Sequence, residues 1–335
     1  MRSKKRSVTI QDVAKAAGVS VSTVSRVLNG KIDVASETQE HIQAVIERLD
    51  YTSSLAARSM RSHSTNLIGL IMPDIEYPYA IEIMKGVNRA IADSEYDLLV
   101  YTTGNVQKLA AASHEQRFVA LLNNSITDGV IIVAPATPRF VSDSPIVSID
   151  PHHEYPNYPS VHATNYQGAM DAMQYLMSLG HTRIGFISGR SELESAKRRL
   201  MGYEDALKEA GIPYDPDLVV PGDFTSKTAA VVSRQLLALP NRPTAIFAGN
   251  DQSAMGVYEV AQEMGLRIPE DLSVIGFDNI PDSRYMNLTT VDQFLSEMGS
   301  IATKTLIRII HHETLDNLNV RVETKLVIRG SCAPR

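Results

Sequence analysis

Short apolar runs in this chain end repeatedly on an acid or an amide. Asp74 follows LIGLIMP, Asp150 follows IVSI, Asn250 and Asp251 follow AIFAG, and Asp278 follows SVIGF. Carboxylates and amides accept hydrogen bonds in fixed directions, so a group of them at strand ends suits the hydroxyls of a carbohydrate. Phe224 (in GDFTS) and Tyr79 offer flat apolar faces to a sugar ring. Lys197, Arg198 and Arg199 add donors before the GYEDAL helix. Each aspartate also suits the cap of a following helix, Asp251 before QSAMGVYEV above all, and Asp74 suits the turn before Pro78.

The same residues carry little catalytic signal. No Gly-rich phosphate loop, no GxGxxG after a strand and no GxSxG elbow occurs. His152-His153 and His311-His312 are adjacent pairs, which point apart and chelate poorly, so both are expected to be solvated. The single cysteine, Cys332, excludes an intrachain disulfide and a cysteine-based zinc site. No metal or cofactor is expected. Strand-end aspartates would also serve as glycosidase acids.

The elements that must hold these groups read as a parallel α/β fold. Leu67–Met72, Asp97–Tyr101, Gly129–Val133, Ile146–Ile149, Ile184–Ile187, Ala245–Ala248 and Ser273–Gly276 are expected to be doubly buried strands, with helices between most of them. An internal echo divides them into two similar lobes. IGLIMPD (68–74) matches IGFISGR (184–190), GVNRAIAD (86–93) matches GYEDALKE (202–209), and LLNNSITDGVIIV (121–133) matches LLALPNRPTAIFA (236–248), at offsets of 116, 116 and 115 residues. Ligands of such sheets bind beyond the carboxyl ends of the strands.

The N-terminus is different. Ile10, Val13, Ala14 and Ala17 form one helical stripe, with Thr9 and Asp12 as its cap pair and Gly18 as its left-handed stop. Ser20 caps a second helix that buries Val24, Val27 and Leu28 and turns Ser22, Ser25, Arg26 and Asn29 outward. Hydroxyls, an amide and a guanidinium on one face suit base edges in a major groove, and Arg26 suits a bidentate contact to guanine. Ser36 and Gln39 are expected to box the start of a third helix, whose Ile42, Val45, Ile46 and Leu49 close a small core. Residues 1–63 hold ten lysines and arginines against six acids, a net of +4 in a chain of −6, which leaves −10 for the rest. The positive charge, including the RSKKR arm, sits with the groove-reading face.

TIQDVAKAAGVSVSTVSRVLNG, then YTSSLAARSMRS, then LIGLIMPDI, resembles the start of a lactose-repressor (LacI/GalR) family regulator, and the similarity covers essentially the whole chain. The resemblance implies an all-α helix-turn-helix head over residues 1–52 and a hinge over 53–64 that folds only on operator DNA. It implies a periplasmic-binding-protein-like core of two Rossmann-like lobes over 65–335. The N-lobe would span about 65–163 and 291–325, and the C-lobe about 164–290 and 326–335. It assigns DNA contact to Thr9, Val21, Ser22, Thr23, Ser25, Arg26 and Asn29 in the head. In the hinge it assigns Leu55, Ala57, Arg58, Met60 and Arg61. Met60, where the family usually has leucine, would wedge a base step, with Arg58 and Arg61 on phosphates. The effector positions it implies are Tyr79, Asp150, Lys197, Arg199, Phe224, Asn250 and Asp278, with lysine at 197 where relatives often have arginine; the strand-end pattern adds Asp251.

The expected partners are therefore palindromic double-stranded DNA, a second copy of the chain, and a small effector, in all expectation a sugar. The basic N-terminus followed by VTIQDVAKAAG has no apolar leader core, and no apolar stretch approaches a membrane span, so a cytoplasmic place without membrane contact is expected. The residues themselves leave open a sugar-processing enzyme or sensor whose N-terminal helices bind protein.

Overall fold

The helical head begins as its spacing predicts. In the computed structural model, which describes residues 8–28, 34–51, 64–104, 108–123, 126–154 and 156–335, α1 is Ile10–Ala17, α2 Val21–Leu28 and α3 Ser36–Arg48. Thr9 Oγ1 accepts the Asp12 amide at 3.4 Å while the Asp12 carboxylate accepts the Thr9 amide at 2.8 Å, a reciprocal capping box. Gly18 stops α1 at φ +66°, and Ser20 Oγ accepts the Thr23 amide at 3.1 Å to start α2. Ile10, Val13, Ala14, Val24, Val27, Ile42, Val45 and Ile46 close a shared core.

Two expectations in the head are corrected. Leu28 is 37% exposed, because one step past Val27 turns it about 100° away from the buried seam. Ser36 makes no cap bond: α3 starts on it, with Ala35 before it at the cap position. A serine that already has helical backbone cannot reach back under its own third amide.

Residues Met1–Thr65 and Asn66–Arg335 form separate compact units. In the second unit, the chain first builds β1 Leu67–Met72, α4 Pro78–Ala92, β2 Asp97–Thr102, α5 Lys108–Asn123, β3 Gly129–Val133, β4 Ile146–Ile149 and β5 Ser160–Ala163. It then builds α6 Asn165–Ser178, β6 Ile184–Ile187, α7 Glu194–Glu209, β7 Val219–Val220, α8 Ser226–Leu237, β8 Ala245–Ala248, α9 Asp251–Glu263, β9 Ser273–Asp278, α10 Pro281–Tyr285 and β10 Thr289–Asp292. α11 Leu295–Ile310, β11 Asn319–Val322 and β12 Lys325–Val327 complete it.

The two sheets repeat one order. One runs β2-β1-β3-β4-β5-β11 and the other β7-β6-β8-β9-β10-β12. Pairing is parallel throughout the first, and in the second only β12 runs antiparallel, against β10. The chain passes between sheets after β5, after β10 and after β11. The first and third passages are stitched together: Thr164 Oγ1 lies 3.0 Å from Thr324 Oγ1 and accepts the Thr324 amide at 2.9 Å.

The echoed glycines have a packing reason. A Cβ on Gly86 of α4 would fall 1.7 Å from the Ser296 carbonyl oxygen of α11, and one on Gly202 of α7 would fall 2.7 Å from the Tyr166 carbonyl oxygen of α6. In each lobe the helix after the lobe's first strand therefore presses its backbone against the helix that enters from the other lobe. β2 departs from the doubly buried expectation: it is largely exposed, because it forms the edge of its sheet.

Candidate functional site

The carboxyl ends of both sheets face a cavity of about 310 Å³. The residues that reach it are set by strand ends and by unusual backbone. Asp150 follows β4 at φ +49°, Phe224 lies between β7 and α8 at φ +70°, and Asp278 ends β9 at φ +116°. Side chains other than glycine rarely adopt this region, and such strain concentrates where a side chain must be aimed. The Phe224 ring lies where a Cβ on Gly189 would be, 2.0 Å from its Cζ, so only glycine gives the ring its seat.

Arg199 organises the floor. It is 3% exposed and extends from α7, with Nε donating to Asn165 Oδ1 at 2.9 Å and Nη1 to the Gly249 carbonyl at 2.6 Å. Its guanidinium lies 3.7 Å over the Phe277 ring and 3.7 Å from Asp278 Oδ1. Asn250 caps α9 through Ser253 N at 2.9 Å and donates to the Phe224 carbonyl at 3.1 Å. Tyr79, in the first turn of α4, donates to Asp150 Oδ2 at 3.4 Å. Burial pushes Asp278 up to about 7 against the pull of Arg199, and raises Asp150 for the same reason.

Tyr79, Asp150, Arg199, Phe224, Asn250 and Asp278 thus share one cavity, with Asp74 at its N-lobe side. Two residues named from the sequence stand elsewhere. Asp251 is fully buried beneath the floor, where Oδ2 accepts the Ile280 amide at 2.9 Å and Oδ1 the Thr290 hydroxyl at 2.5 Å. It ties α9 to β10 and the turn after β9, and the cap role falls to Asn250. Lys197 is half exposed and stands 4.0 Å from Glu194. Ser195 and Arg199 face the cavity four residues apart on α7, which turns residue 197 to the far side. Arg198 bonds Glu194 at 2.8 Å and also pairs with Glu154 of the other lobe.

The sequence missed some of the lining. Glu115 of α5 is buried, and its two carboxylate oxygens accept the Ala136 amide at 3.0 Å and the Thr137 amide at 2.9 Å, which fixes the loop after β3. Its partners lie some twenty residues away, beyond any local motif. His152, expected to be solvated, lines the cavity with a buried Nε2 that has no partner among the described residues. Burial lowers it to about 4, so it is neutral near neutral pH. Its neighbour His153 bonds the Ala136 carbonyl at 3.0 Å.

In the head, Val21, Ser22 and Arg26 are exposed on α2, and Thr23 and Ser25 are half-buried. Asn29, Leu55, Ala57, Arg58, Met60 and Arg61 lie outside the described residues.

Comparison with known proteins assigns the whole. Residues 9–54 match the model for bacterial regulatory proteins of the lacI family, and residues 173–332 match that for a periplasmic binding protein-like domain. The ribose operon repressor of Haemophilus influenzae is 33% identical over 331 residues, covering 96% of this chain and 98% of the relative. The chain belongs to the lacI family. It is a transcriptional regulator with a DNA-binding helix-turn-helix and an effector-binding core. The catabolite control protein A of Priestia megaterium is 34% identical over 337 residues, covering 97% and 99% of the two chains. The lac repressor dimer bound to operator and the anti-inducer ONPF superposes with a TM-score of 0.86 at 25% identity, over 98% of this chain and 100% of that one. A complex of the regulator CelR with cellobiose gives 0.73 at 28% identity, over 97% and 99%. No helix among the described residues is long and apolar enough to cross a membrane.

Proposed function

We propose that this lacI-family regulator represses genes for the uptake or breakdown of a carbohydrate, and that a small carbohydrate in the cleft sets its grip on DNA. The observation that carries this reading is the floor of the cavity. An aromatic ring on a glycine seat stands beside Asp150, Asn250 and Asp278, which is a stacking face next to directional acceptors. The ligand would touch Tyr79, Asp150, Arg199, Phe224, Asn250 and Asp278. Relatives described as a ribose operon repressor and as a cellobiose complex support a sugar.

The head, residues 1–52, would read a palindromic operator in the cytoplasm as one half of a homodimer, as in the lac repressor dimer on operator. Thr9, Val21, Ser22, Thr23, Ser25, Arg26 and Asn29 would make its contacts. Leu55, Ala57, Arg58, Met60 and Arg61, in the hinge over 53–64, would enter the minor groove. Effector and DNA would then bias one two-state element, and the coupling would be reciprocal. The test is a selection of bound duplexes from a random pool by the wild-type chain and by Arg26→Ala. The wild type should enrich one palindrome and the variant none; an unchanged palindrome from Arg26→Ala would remove Arg26 from base reading.

A further inference from the structure

The charge of the cleft is lopsided. Among the described residues, its lining holds five carboxylates, of Asp74, Glu115, Asp150, Asp223 and Asp278, against the guanidiniums of Arg190 and Arg199. Two of the acids are already occupied by the protein: Glu115 by the amides of the β3 loop, and Asp223 by the Thr225 amide and the Thr225 and Thr228 hydroxyls. Asp150 and Asp278 stand at the floor, one from each lobe, with Arg199 as the cation shared between them; Asp150 accepts the Tyr79 hydroxyl through Oδ2 and Asp278 the Gln293 side-chain amide through Oδ1.

Arg199 is not available as an anion receptor. Its Nε and Nη1 are committed to Asn165 and Gly249, its plane rests on Phe277, and Asp278 Oδ1 lies 3.7 Å from its Nη1. Arg190, at the mouth, already faces Glu192 at 4.0 Å. His152 is neutral near neutral pH and adds no positive charge. A phosphate or carboxylate entering this space would lose its water beside Asp150 and Asp223, with Arg199 already committed within the protein and Arg190 facing Glu192. Hydroxyl groups, by contrast, would donate to those same acids.

We propose that the cleft takes its carbohydrate as the free, uncharged sugar and rejects the phosphate ester and the sugar acid. This rests on the carbohydrate reading above and narrows it. The regulator then senses the sugar before a phosphoryl-transfer step, and the class of reaction that removes the signal is one that phosphorylates or cleaves it.

The test is calorimetric titration of the full-length chain with free aldoses and disaccharides, each paired with its phosphate ester. At least one free sugar should bind, and its ester should bind about 100-fold or more weakly. Raising salt from about 50 mM to about 500 mM should narrow that gap, since screening weakens repulsion. Asp150→Asn should narrow it about tenfold at fixed salt, an effect that loss of packing alone would not give. An ester that binds as tightly as its parent sugar, or a gap indifferent to both salt and Asp150→Asn, overturns the proposal and leaves the carbohydrate reading intact. A panel in which neither member of any pair binds overturns the carbohydrate reading and this proposal with it.

Discussion

The two lobes share a strand order but meet the cavity with different equipment. The C-lobe core is aromatic: Phe186 lies 5.0 Å from Tyr203 and 5.1 Å from Phe247, Phe247 lies 6.5 Å from Phe277, and Arg199 rests on the end of that chain of rings. The N-lobe core is mainly aliphatic, with Ile68, Leu70, Met72, Ile83 and Val87 at its centre. The C-lobe's polar groups are also tied to one another, Asn250 to Phe224 and Arg199 to Gly249. The N-lobe brings Tyr79 to Asp150 through a single long bond. A repeated fold has thus been divided into a preformed floor and a facing wall in which Glu115 braces the loop after β3 but Tyr79 and Asp150 meet loosely. Preorganisation of this kind lets the floor orient a ligand that the wall then covers.

The comparison is most sharply tested by removing the group that makes the floor. Arg199→Met should abolish sugar binding and lower unfolding stability by about 3–5 kcal/mol, the usual cost of leaving a buried charge without its partner. Denaturant titration with and without ligand measures both effects. If stability is unchanged, Arg199 does not organise the C-lobe.

The helix crossings offer the next contrast. Gly86→Ala meets backbone at 1.7 Å and Gly202→Ala at 2.7 Å, so both must push helices apart, at about 1–3 kcal/mol, and Gly86→Ala should cost more. Equal losses in urea unfolding would mean that the N-lobe crossing relaxes freely. Glu115→Gln should cost about 1–2 kcal/mol, because an amide supplies only one acceptor oxygen where two are used. It should also weaken ligand binding less than Arg199→Met does. A ligand loss as large as that of Arg199→Met would make the wall as decisive as the floor.

The last contrast is one of sign, in pH dependence, where the lobes should oppose each other. Asp278 of the C-lobe, raised to about 7, keeps a proton when folded that the unfolded chain has already released. It therefore subtracts stability as pH climbs from about 4 to about 7, and Asp278→Asn should remove that decline. His152 of the N-lobe, lowered to about 4, refuses a proton that the unfolded chain accepts. It subtracts stability as pH falls from about 6.5 to about 4, and His152→Gln should remove that loss. Melting temperatures across pH 4–8 check both slopes; parallel slopes for the two variants would contradict the assignment.

Much of this molecule could be read before its structure, for identifiable reasons. The head declares itself because capping and helical spacing are local: Thr9, Asp12 and Gly18 act within one turn of their own helix. The central strands declare themselves as apolar runs. Gly86 and Gly202 marked the repeat because both lobes need the same close helix crossing. Strands on the crossover side of each sheet were hidden. Ser160–Ala163, Thr289–Asp292 and Lys325–Val327 are short and partly polar, and only their neighbours in the sheet define them. At the cavity, acids at strand ends were legible from position alone. What misled was helix phase and depth: Lys197 is two residues from Arg199 yet on the other side of α7, and Asp251 adjoins Asn250 yet lies beneath the floor. His152 looked like one half of a solvated pair, because nothing in two adjacent histidines tells which of them a later fold will cover.

The central claim is that occupancy of the cleft alters the hold on DNA. It is tested most directly by fluorescence anisotropy of the selected palindromic duplex, titrated with full-length chain at fixed salt with and without a saturating sugar that binds the cleft. Sugar should change affinity for the palindrome about tenfold or more while leaving a scrambled duplex unaffected. Identical curves with and without sugar, for a sugar shown by calorimetry to be bound, would contradict it.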